Sequence, residues 1–136
     1  MADGPVLVIG LDPARIPGWD PEPVTAAIAR GHARFAEHGI EADLCLTATD
    51  PAAAAEITAA LTRRRYACVV IGGGIRKHEP LLEFFEQVVN LVHRHAPDAA
   101  IAFNSTPEDT VDAALRRLGQ PPGSAGGWTA GVPAAT

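Results

Sequence analysis

The sequence predicts an α/β protein, a three-layer α/β/α sandwich around a four-stranded parallel sheet of order 2-1-3-4. Three observations carry this. Four short apolar stretches alternate with four amphipathic ones, the pattern of successive strand and crossover-helix units. Three of the stretches, Val6 to Leu11, Tyr66 to Ile71 and Ala99 to Phe103, are almost wholly apolar, as strands covered on both faces must be. The fourth alternates Ile40, Ala42, Leu44 and Leu46 with Glu41, Asp43 and Cys45, which leaves one face wet and places it at an edge. Right-handed crossovers then fix the order, with the topological switch point between strands one and three.

The elements follow in turn. Asp12 and Pro13 end strand one, and the proline-rich ARIPGWDPEP reads as an extended loop over its carboxyl end. Pro23 suits the first turn of a helix whose stripe is Val24, Ala27, Ile28, Gly31 and Phe35, closed by Gly39. Asp50 and Pro51 open the second helix, with Ala54, Ile57 and Leu61 buried. Gly72, Gly73 and Gly74 stop strand three in a sharp turn that glycine permits through positive φ. A helix from Pro80 to Ala96 is apolar over more of its circumference than one sheet face requires. Thr106, Pro107 and Asp109 cap a last helix with a stripe at Val111, Ala114, Leu115 and Leu118, ended by Gly119. That helix is expected to cross to the face of the first, since the crossovers put the second and third together on the other. Residues 1–118 form one domain, and the Gly-, Pro- and Ala-rich 119–136, with Trp128, read as a tail.

Composition narrows the function. A net charge of −5 opposes a general role in binding nucleic acid, and the one basic run, Arg63 to Arg65, complements the dipole at a helix end. No apolar run approaches the roughly 20 residues that span a bilayer, and the first residues lack a secretory pattern, so a cytoplasmic location is expected. Cys45 and Cys68 lie on strands with strand one between them, about 10 Å apart and too far for a disulfide.

The stretch YACVVIGGGIRKHEP is where chemistry concentrates. The glycine triplet is either punctuation between strand and helix or an anion site on the amides of Gly72, Gly73, Gly74 and Ile75, with Arg76 at its side. Asn104 and Ser105 lie one strand away and complete the candidate ligand set. Asp12 and His78 are the candidate catalytic groups, the histidine as acid or base near neutral pH. His93 and His95 are two apart and share no helix face, and no metal site is expected.

Across Val6 to Leu118 the pattern resembles the flavodoxin-like group, which includes response-regulator receivers, truncated by a fifth strand and helix. Ser105 or Thr106 matches the hydroxyl that receivers carry after strand four, while Gly72 stands in the region of their phosphoacceptor and Asp12 is a single acid. ARIPGWDPEP is not the phosphate loop of a flavodoxin, and the histidine motif of cobalamin-binding modules has no match after strand one, so no cofactor is assigned. VVIGGGIRKHEPLLEFFEQVVNLVHRHAPDAAIAF is similar to small single-domain bacterial α/β proteins, which supports the fold. Two functions are expected as alternatives. One is binding of a small anionic ligand at the carboxyl ends of strands one and three. The other is a receiver-like interaction module without phosphoacceptor activity, and a homodimer is expected in either case because of the apolar Pro80 to Ala96 helix.

Overall fold

The computed structural model describes residues 4–119, so that Trp128 and residues 120–136 lie outside it. Strands β1 (Val6–Leu11), β2 (Ala42–Thr47), β3 (Cys68–Ile71) and β4 (Ala100–Phe103) form a parallel sheet in the order β2-β1-β3-β4. Val6 stands opposite both Ala42 and Cys68, and Cys68 opposite Ala100. The described residues also form α-helices α1 (Pro21–Glu37), α2 (Ala53–Arg63), α3 (Gly73–Arg76), α4 (Leu82–His95) and α5 (Thr110–Leu118). This is the sandwich the sequence predicts, with the topology of the first four strands of a flavodoxin-like sheet.

Alternation along the strands divides the core in two. Leu7 and Ile9 of β1 and Val69 and Ile71 of β3 meet Ile57 and Leu61 of α2 and Val88 and Val92 of α4. On the opposite face Val6, Val8, Cys68, Val70 and Ala102 meet Phe35 of α1 and Val111, Ala113 and Ala114 of α5. The last helix therefore shares the face of the first, as the crossover argument requires. Cys45 and Cys68 are both buried free thiols on opposite faces, and burial pushes the Cys68 thiol up to about 12.

Local sequence accounts for most of the boundaries. Asp20 accepts from the Glu22 amide at 3.3 Å, and Pro21 opens α1, two residues before the expected Pro23. Gly39 closes that helix with φ +69°. Asp50 accepts from the Ala52 amide at 3.0 Å, and the capping box of Thr106 and Asp109 is present, leading into a 3-10 turn before α5.

The glycine triplet is the main departure. No left-handed glycine occurs there: Gly72 has φ −69°, and among the described glycines only Gly18 and Gly39 have positive φ. Instead Gly73–Arg76 forms one helical turn, with the Ile75 and Arg76 amides donating to Gly72 O and Lys77 N–H to Gly73 O. Fully buried Ile75 anchors the turn in the core. The expected Pro80 to Ala96 helix accordingly begins later, at Leu82, after a 3-10 turn over Glu79–Leu81.

One contact sets the position of α1. A β-carbon at Gly31 would lie 1.9 Å from Pro107 O, so only glycine lets the helix and the β4–α5 connection meet this closely. Arg30 pairs with Glu108 at 2.8 Å, and Arg34 donates to Glu108 O and to Asp112 Oδ2, each at 2.9 Å. The half of α1 around Gly31 to Phe35 is thereby clamped to the start of α5.

Candidate functional site: a slot at the carboxyl ends of β1 and β3

Val24, Ile28 and His32 recur every four residues on α1 and so share one side of the helix, over about 12 Å at a rise of 1.5 Å per residue. Opposite them stand Val8 and Gly10 of β1 and Leu44 and Leu46 of β2. Between the two rows lies a slot of about 220 Å³. Because α1 runs antiparallel to the strands, the slot opens at the carboxyl ends of the sheet, where Trp19, Gly72, Gly73, Gly74, Ser105, Thr106 and Pro107 also line it. The apolar stripe of α1 is thus filled around Phe35, which is 1% exposed, whereas Val24 and Ile28 remain half-buried beside open space.

Hydrogen bonds fix the shape of the mouth. The buried Asn104 accepts from Gly73 N–H through Oδ1 at 2.7 Å and donates from Nδ2 to Thr110 Oγ1 at 2.8 Å. Thr110 Oγ1 in turn donates to Pro107 O at 2.7 Å. The exits of β3 and β4 are therefore locked together through one side chain. Ser105 N–H donates to Asp109 Oδ1, while Lys77 Nζ donates to Ser105 O. Lys77 lies over the glycine turn, since a β-carbon at Gly73 would stand 3.3 Å from its Cε and 3.2 Å from Ser105 O.

The walls carry no Asp, Glu, Lys or Arg. His32 is the one titratable side chain among them, and its ring lies 5.8 Å from that of Phe35. Its Nδ1 is buried without a hydrogen-bond partner, a deficit that ordinarily costs about 1 to 3 kcal/mol. The same ring borders a shallower depression lined by Ile40, Glu41, Asp43 and Arg64.

The residues named from sequence separate into two groups. Gly72, Gly73, Gly74, Asn104 and Ser105 come together on the slot. Asp12, Ile75, Arg76 and His78 do not line it. Asp12 accepts from the Ala14 amide at 3.0 Å as the cap of a 3-10 turn, and Ile75 is core. Arg76 donates to Asn104 O at 2.6 Å with its guanidinium 5.9 Å over the Phe103 ring, behind the glycine turn. His78 packs on Trp19 with ring centroids 6.0 Å apart, joining the loops after β1 and α3 above the switch point. Trp19, His32 and Lys77 were missed. The spacing of His32 from Val24 and Ile28 was a legible signal for it, whereas nothing in the loop sequence singled out Trp19.

Among the described residues no group of three His, Cys, Asp or Glu side chains is placed to hold a metal ion, and no helix is long and apolar enough to cross a membrane. What the fold and slot define is a class: a parallel α/β domain with a preformed, mostly apolar crevice at its switch point. Comparison with protein-family models, curated proteins and solved structures found no match to the chain.

Proposed function

We propose that the chain binds a small molecule in this slot, with an apolar body between α1 and the β1–β2 edge and an anionic head at the mouth. The observation that carries the reading is the facing of Val24 and Ile28 with Val8, Leu44 and Leu46 across open space whose glycine-lined end, at Gly72 to Gly74, lies by the switch point. Ligands of open α/β sheets bind at that place, and sites for small molecules are typically apolar with a few converging polar groups. An anionic group deep in the slot would have no countercharge, because no cationic side chain lines it. At the mouth, Lys77 supplies one. An ammonium has three donors, and among the described residues Lys77 Nζ makes one hydrogen bond, to Ser105 O.

Calorimetry with octanoate and octanamide tests the reading. Octanoate is expected to bind the wild type, and Lys77→Ala to weaken it by about 10-fold, the usual worth of a charge-assisted contact, with little effect on octanamide. Denaturing mass spectrometry of the purified protein would identify a carried ligand directly. Failure of every amphipathic acid to bind, with no copurifying compound, would end this reading.

A second reading rests on a different observation. Leu82, Phe103 and Leu115 are 58%, 37% and 37% exposed, and β4, which carries Phe103, has an unpaired edge. This surface supports the interaction-module alternative, as a homodimer. Light scattering after size exclusion checks it: a dimer that Phe103→Arg converts to monomer supports the reading, and a strictly monomeric wild type at high concentration removes it.

A further inference from the structure

We infer that the slot takes an elongated molecule with a hydrogen-bonding group at each end, the outer one at the mouth and the inner one read by His32. This rests on the ligand reading above and specifies its substrate class. The slot follows α1 for about 12 Å from Val24 to His32, so a bound molecule lies along the helix rather than across it. Along its path Val8, Ile28, Leu44 and Leu46 offer no donor or acceptor side chain, and the polar groups of Asn104 and Thr110, which also line the slot, are already hydrogen-bonded to Gly73, to Pro107 and to each other. At the inner end stands the imidazole, whose Nδ1 has no partner among the described residues. The torsion that turns such a ring is broad and two-fold, so it can present a nitrogen to the slot without leaving its contact with Phe35. A purely aliphatic tail would leave that nitrogen unpaired, whereas a hydroxyl or carbonyl on the tail would pair with it. The volume of about 220 Å³ leaves room for one ring with a short chain.

The test compares 3-phenylpropanoate with 3-(4-hydroxyphenyl)propanoate on the full chain by calorimetry. The hydroxylated acid is expected to bind about 10-fold tighter to the wild type, the scale of one hydrogen bond to an otherwise unpaired buried group. His32→Leu is expected to reverse the preference, improving the plain acid and weakening the hydroxylated one, while His32→Gln keeps part of it. Equal affinities in the wild type, or a preference that survives His32→Leu, would overturn the role of His32 and leave ligand binding standing. Binding of octanoate with silence from both aromatic acids would also overturn it. Silence from all three acids would overturn the parent reading with it.

Discussion

Under α2 and α4 the sheet meets Ile57, Leu61, Val88 and Val92, each at most 1% exposed. Under α1 it meets Phe35 and then, two turns earlier in the helix, an opening bounded by Ile28 and Leu44. Both helical faces carry apolar stripes of similar spacing, so periodicity alone does not separate a stripe that builds the core from one that walls a cavity. The separation comes from where the helix is held. α1 is fastened at Gly31, Arg30 and Arg34 to the segment around Pro107 and Glu108, and its earlier half projects past that fastening.

Substitutions break or sharpen this contrast. The largest effect is expected at the filled face, where Ile57→Ala should cost about 4 kcal/mol in denaturant unfolding by leaving a cavity. Ile28→Ala, the same kind of truncation on the slot face, should cost under about 1 kcal/mol, because few partner atoms are lost. Equal losses at the two positions would mean that the slot closes in solution. Next in size is Gly31→Ala, expected to cost about 3 kcal/mol, since its β-carbon meets the Pro107 carbonyl and backbone must move. Leu44→Phe should change stability by less than about 1 kcal/mol by filling the slot, yet abolish octanoate binding measured by calorimetry.

The smallest expected effect is that of pH on the clamp. The Arg34 guanidinium, hydrogen-bonded to Asp112, holds that carboxyl below its ordinary range, and Arg30 does the same to Glu108. Folded-state pKa values below the unfolded ones give stability that is present above about pH 4 and lost as pH falls through the folded values. Asp112→Asn should therefore flatten the acid limb of a plot of melting temperature against pH. The exposed setting of these pairs keeps the change modest.

Much of this architecture was legible in the residues. The all-apolar run of β1 was read with its observed ends, the alternating run was rightly placed at the sheet edge, and Thr106 with Asp109 announced the start of α5. Three successive glycines, by contrast, argue against helix, and the turn at Gly73–Arg76 forms because tertiary contacts hold it. Ile75 is pulled into the core and Asn104 takes the Gly73 amide, neither of which local propensity reports. That helical turn also sends Arg76 towards Phe103 and leaves Lys77 over Gly73, a split between neighbouring cations that the sequence does not report. By spacing alone His32 is an unpaired histidine, with no acid or second histidine on its helix face to suggest chemistry. Its significance depends on the emptiness of the space before it, a property of three elements together.

The Gly31 contact has a mechanical side. A helix fastened at its middle, with open space under its first half, behaves as a lever, and the nearly five turns of α1 meet this description with Pro107 as the fulcrum and the Pro13–Arg15 turn touching the early end. Bending at the fulcrum would change the width of the slot at its mouth far more than at its floor, so the aperture would breathe while the imidazole end kept its place. Hydrogen exchange should show this as a gradient along a single helix, fast for amides 24–29 and slow for 33–37, with the fast end slowing once a carboxylic acid is bound.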